Sequence, residues 1–286
     1  MLSTDAIAYG RSTNCKNIVF SCTMRLVQTS KKITEISQYA NGRDMSTEKI
    51  HTSVSRVIIE KKPTGSLLDI GAGSGHLVRK IMFENNSIEC HACDYYEGKF
   101  SVAGVLFQKV DIEERRLPYE DDSFDIVTAS EVIEHLQSPK NVVRESYRLL
   151  KKGGLLVLTT PNIVNMESRI RFLTSGFYNL FGPIPLDNDN RGSSHGHIMP
   201  LSYMYLFLLL FKEGFREISF TIDKHQKSST AWYYTLLPLL IISKKIFFKK
   251  ETEKYKTIDE SNREMILKLF EKDLLTGSTL IMFGRE

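Results

Sequence analysis

Long hydrophobic runs, cysteines and a charge surplus of one sign are all scarce in this 286-residue chain. The longest apolar stretch, Ala231–Ser243 (AWYYTLLPLLIIS), contains Pro238 and stops at Lys244 and Lys245. A bilayer-spanning helix needs roughly 18 apolar residues, so a polytopic membrane architecture is excluded. Near the start, Ile18–Phe20 is a brief apolar patch and Asp5 stands where a secretory leader is basic. No leader is expected, and the protein is expected in the cytoplasm. Four cysteines (Cys15, Cys22, Cys90, Cys93) are too few for a disulfide scaffold of this size, and free thiols are expected. Cys90-x-x-Cys93 has metal-ligand spacing, yet it falls in an apolar strand pattern whose alternation sends the two side chains to opposite faces. The 38 basic residues exceed the 34 acidic ones by four, too small a surplus to argue for a nucleic-acid partner. Repeats and low-complexity tracts are absent, and 42% hydrophobic with 25% charged residues excludes a disordered chain.

What is present is alternation. Residues 1–45 are polar and mixed, with weak helical patterning over Arg25–Tyr39, and read as an extension, partly disordered or a loose cap. A helix is expected over Ser46–Lys61, with Ser46 as N-cap and Ile50, Val54, Val57 and Ile58 as its apolar stripe. Strands follow at Ser66–Ile70, Glu89–Cys93, Val105–Val110, Phe124–Ala129 and Leu155–Thr160. Helices are expected over His76–Phe83 and Ser138–Leu150, the second ending at Gly153-Gly154. Strands alternating with helices imply parallel βαβ units in a doubly wound α/β sheet. Beyond it lie a loose segment, Asn162–Pro200, an apolar helix, Leu201–Phe211, and strands near Glu217–Ile222 and Ser278–Gly284. Residues 46–286 thus read as one domain, in which 162–213 forms a covering region. An insertion at 223–277 precedes the last strand and holds the apolar-basic stretch and an amphipathic helix, Ser261–Leu275.

The most informative segment is Leu67-Leu-Asp-Ile-Gly-Ala-Gly-Ser-Gly-His76. Glycines at 71, 73 and 75 between strand and helix let the backbone approach a ligand closely. The spacing is G-x-G-x-G, not the G-x-G-x-x-G of a pyrophosphate site, and Asp69 ahead of it suits a cationic ammonium group. Nineteen residues after Gly75, Asp94 closes the second strand, where a carboxylate can accept from both ribose hydroxyls. An ammonium and a ribose without phosphates describe S-adenosylmethionine.

These residues resemble those of the class I S-adenosylmethionine-dependent methyltransferases, over Ser66–Asn162. Asp69, Gly71, Gly73 and Gly75 match the first motif and Asp94 the ribose-binding acid. Val110-Asp-Ile112 matches the third-strand motif, and Leu117–Val127 and Leu149–Leu155 match further family stretches. The resemblance implies a Rossmann-like, mostly parallel seven-stranded sheet, with Tyr95, Asp111, Ile112 and Ser130 also at the cofactor: Asp111 caps the adenine amino group and Ile112 packs on the ring.

After the fourth strand comes Ser130-Glu-Val-Ile-Glu-His-Leu136. Glu131, Glu134 and His135 stand at i, i+3 and i+4, which a helical turn would bring to one face. Two carboxylates and an imidazole suit a hard or borderline divalent ion. The turn resembles that of metal-dependent O-methyltransferases of the ubiquinone pathway and of small-RNA 2′-O-methyltransferases, which add a downstream histidine. Here Gly192–Ile198 offers His195 and His197. Family members with this turn also work without metal, so Glu131, Glu134, His135 and His195 form either a metal set or, through His135, Glu131 and His195, a metal-free catalytic set. The expected reaction is O-methylation of a small-molecule, glycan or lipid-linked hydroxyl. The alternatives are RNA 2′-O-methylation and a partner subunit that binds the cofactor without turnover.

Residues 231–250 combine Trp232, Tyr233, Tyr234, a Leu/Ile run and two Lys-Lys pairs. They read either as a segment lying on a membrane surface, making the protein peripheral to the inner face, or as a hairpin packed on its own domain or on a second subunit.

Overall fold

In the computed structural model the described residues are 47–113, 116–183 and 196–286. The expectations for Ser46, for Arg25–Tyr39, for Cys15 and Cys22, and for His195 fall outside them. Seven strands form one sheet: β1 (Gly65–Ile70), β2 (Ile88–Asp94), β3 (Leu106–Lys109), β4 (Phe124–Ser130), β5 (Leu150–Pro161), β6 (Arg216–Ile222) and β7 (Thr279–Arg285). Their order is β3-β2-β1-β4-β5-β7-β6; β7 runs antiparallel to both neighbours and the remaining pairings are parallel. Sequence direction therefore reverses between β1 and β4, the crevice where open α/β sheets bind ligands.

Both faces are covered, which explains why the strands read as nearly continuous apolar runs. Leu68, Ile70, Val127, Leu156 and Leu158 point into one core, with Leu206 and Leu210 of α5 (Tyr203–Glu213) and Val142 and Val143 of α3 (Pro139–Leu149). Leu67, Ile126, Leu155 and Val157 point into the other. There they meet Ile50, Val54 and Ile58 of α1 (47–61) and Leu77, Val78 and Ile81 of α2 (His76–Glu84). Cys93 lies in the first core and Cys90 in the second, so the two sulfurs sit on opposite sides of the sheet. Burial raises both thiols to about 12, which leaves them inert.

Three elements differ from the sequence expectation. Gly153 and Gly154 do not end a helix but lie within β5, in a bulge where the register with β4 jumps from Phe124–Leu150 to Ile126–Leu155. The loose segment contains α4 (Met166–Ser175), with Asn165 accepting from the Ser168 N–H at its start and Gly176 at its end. The expected helix Ser261–Leu275 is two short ones, α8 (Arg263–Lys268) and α9 (Lys272–Thr276). The apolar-basic stretch forms α6 (Lys227–Thr235) and α7 (Leu237–Lys249).

Candidate active site

The carboxyl ends of the parallel strands carry the chemistry. After β1 the chain turns sharply: the N–H groups of Gly71 and Ala72 both donate to the Cys93 carbonyl, at 2.8 and 3.1 Å. Gly73 N–H donates to Asp94 Oδ2 at 2.8 Å, and Tyr96 N–H donates to Asp94 Oδ1 at 2.9 Å. Asp94 is thus fixed against the glycine turn, with lone pairs left on both oxygens for a diol. Gly73 has φ +55° and a Cβ built there would meet nothing within 4 Å. Open space at this position is what a ligand lying against the turn requires. Asp111, after β3, is exposed and accepts from Glu113 N–H, while Ile112 is buried in the first core. Tyr95 is half exposed beside Asp94.

Asp69 is buried, and its Oδ1 accepts from Thr128 Oγ1 at 2.7 Å. Burial pushes its carboxyl up to about 7 against the lowering effect of Thr128, with the Asp94 charge adding to the rise. The sequence reads Asp69 as facing the ligand's ammonium; its carboxyl is buried and bonded to Thr128, and a cation beside it would stabilise the ionised form.

The turn after β4 is tighter than the expected helical one. Glu131 adopts φ +57°, a left-handed conformation that a non-glycine residue holds only when its surroundings enforce it. Thr159 of β5 does so: Glu131 N–H donates to Thr159 Oγ1 at 2.9 Å, and that hydroxyl donates to Glu131 Oε1 at 3.0 Å. Ser130 Oγ lies 3.3 Å from the same hydroxyl. A 3-10 turn then spans Ile133–His135. The expected single face of Glu131, Glu134 and His135 is therefore corrected, because Glu131 is drawn aside to Thr159.

A different set comes together. One ligand atom each from Glu134, His135 and His197 lies within 4.8 Å of the others. Ile198 and Met199 N–H both donate to the Glu134 carbonyl at 3.0 Å, which straps His197 over the turn. The two imidazoles meet edge to face, 4.7 Å between centroids. His135 Nδ1 lies 3.1 Å from the Gly196 carbonyl and His197 Nδ1 3.0 Å from that of Leu180. A carbonyl only accepts, so each Nδ1 carries a proton. Glu134 is fully buried and neither carboxylate oxygen has a hydrogen-bond partner. Burial, and then the Glu131 charge, hold its carboxyl well above the usual range. Burial and nearby Asp223 raise Glu131 to about 7. Thr128, Thr159 and Asp223 had no motif to reveal them; their one sequence signal is position at a strand's carboxyl end.

Residues 68–158 match the methyltransferase-domain family. Over these residues the chain is similar to methyltransferase domains. An uncharacterized methyltransferase of Bacillus subtilis, YcgJ, is 35% identical over 100 residues, 32% of this chain and 39% of that protein. A ubiquinone biosynthesis O-methyltransferase of Pseudomonas entomophila is 28% identical over 134 residues, 44% of this chain and 56% of that protein. The chain thus matches about half or less of these relatives' length. The fold is shared with a SAM-dependent methyltransferase of Archaeoglobus fulgidus, at TM-score 0.52 and 18% identity over 84% of this chain and 94% of that one. S-adenosylmethionine is the cofactor of the methyltransferase domain, and the open space at Gly73, bounded by Asp94, fits it.

Proposed function

We propose that this chain is an S-adenosylmethionine-dependent methyltransferase acting on a hydroxyl acceptor. The observation that carries the reading is the cluster of Glu134, His135 and His197 at the end of β4, beside the cofactor crevice, with a buried carboxylate that lacks a partner. Asp94 holds the ribose, and the backbone at Gly73 passes against the ligand. When bound, the cofactor supplies an electrophilic methyl group on a sulfonium that departs as a neutral thioether. His135 Nε2 takes the acceptor hydroxyl's proton as the oxygen becomes nucleophilic, and the charge that forms on the imidazolium favours ionisation of the neighbouring Glu134 carboxyl. Glu134, His135 and His197 would also hold a divalent cation, which would lower the hydroxyl's pKa directly. In-line positioning supplies most of the rate, so no covalent enzyme intermediate is expected.

The test is transfer of labelled methyl to hydroxyl acceptors, small-molecule, glycan, lipid-linked and RNA. His135→Ala is expected to lower kcat by about 100-fold or more while cofactor affinity stays near wild type. Unchanged turnover in that variant would refute the assignment. Activity lost in EDTA and restored by a divalent ion selects the metal form; activity that persists selects His135 as the base.

A further inference from the structure

The insertion between β6 and β7 builds a surface that the methyltransferase domain does not use. Its helices α6 and α7 meet at a 70° bend, and α7 buries none of its thirteen residues. Leu236, Leu240, Lys244 and Phe248, spaced four apart, are half-buried and face the domain. Phe248 packs on the first core and its ring lies 5.9 Å from that of Phe270, while Lys244 Nζ lies 5.5 Å from the Phe270 centroid. The opposite row is Leu239, Ile242 and Ile246, 60%, 56% and 61% exposed. Spacing of three and four residues stacks them on one outward face. Lys245, Lys249 and Lys250 are exposed along its two sides, and Trp232 and Tyr234 of α6 are exposed at the bend.

Among the described residues no single helix is long and apolar enough to cross a membrane, and α6 with α7 passes by length and composition only as a pair bent by 70°. An apolar outer row flanked by cations on a short helix instead suits the plane of a bilayer surface. We propose that α6 and α7 dock on an anionic lipid surface. Leu239, Ile242 and Ile246 enter the acyl boundary, Trp232 and Tyr234 sit at headgroup level, and the lysines meet the phosphates. Charge argues for this occupant: positions 244–256 hold six lysines against two glutamates. A second copy docked by a two-fold axis would bring the same lysine rows together, where they repel. The domain itself is already served by the opposite row.

Flotation of the full chain with vesicles tests this. The protein is expected to float with phosphatidylcholine–phosphatidylglycerol vesicles and not with phosphatidylcholine alone, and to release as salt rises. Lys245→Glu with Lys249→Glu and Lys250→Glu should reduce partitioning by about tenfold or more, as should Leu239→Ser with Ile242→Ser and Ile246→Ser. These side chains are exposed, so unchanged thermal melting verifies that the variants fold. No flotation of the wild type, or flotation that neither variant alters, overturns the proposal. A dimer in light scattering that the serine variant splits would overturn it in favour of a second copy.

Discussion

Gly71, Gly73 and Gly75 share one motif but do different work. A Cβ at Gly71 would lie 2.4 Å from Val132 Cγ2, and one at Gly75 would lie 2.4 Å from Val102 Cγ2. Their alanine variants should lose about 1–3 kcal/mol of stability in denaturant unfolding. At Gly73 the added methyl meets nothing, so Gly73→Ala should lose only about 1–2 kcal/mol through its left-handed backbone. Its S-adenosylmethionine affinity should nevertheless fall about tenfold or more in titration calorimetry. Asp69 gives a pH signature. Its folded carboxyl, at about 7, titrates above the ordinary 3.8, so the native state keeps a proton that the unfolded chain has lost. The stability this provides is full below about pH 4 and is lost as pH rises through about 7. Across that window the cofactor-free wild type should lose melting temperature relative to Asp69→Asn; parallel profiles would contradict it. The identities of Asp69, Asp94 and the glycines were legible because a strand, a turn and a helix demand them in fixed order. The partners Thr128 and Thr159 were not, since a hydroxyl inside an apolar strand carries no spacing signal.

At the scale of elements, the strands were legible because burial on both faces writes them as short apolar runs. Helix α4 was hidden because it buries little, Met166 and Ser168, leaving Asn165 and Gly176 as its local signals. The loss of the expected Glu131–Glu134–His135 face has a plain cause: Thr159 of a neighbouring strand fixes Glu131, a contact between residues 28 apart that no local pattern reports. Helix α5 ends at Gly214, where φ is +116° and a Cβ would stand 2.7 Å from the Tyr147 ring. Gly214→Ala should therefore cost about 2 kcal/mol in denaturant unfolding, from strain and overpacking together. Because this end of α5 packs on α3 and not on the glycine turn, cofactor affinity should stay at the wild-type value.

For the whole molecule, sheet order decides where chemistry happens. The glycine turn follows β1, Asp94 ends β2, Asp111 follows β3, the Glu134–His135 turn follows β4 and Thr159 lies near the end of β5. Parallel pairing puts all of these along one edge, around the β1–β4 switch point, although they span about a third of the chain. The strap at 196–199 brings to that edge His197, one of the two downstream histidines that the sequence offered. Under the proposed function this edge binds S-adenosylmethionine through Asp94. Calorimetric titration of the cofactor into wild type and Asp94→Ala tests it most directly. Saturable binding to the wild type, weakened about tenfold or more in the variant, is predicted from the loss of charge-assisted hydrogen bonds. Equal affinity in the two proteins, or no binding to the wild type, would contradict it.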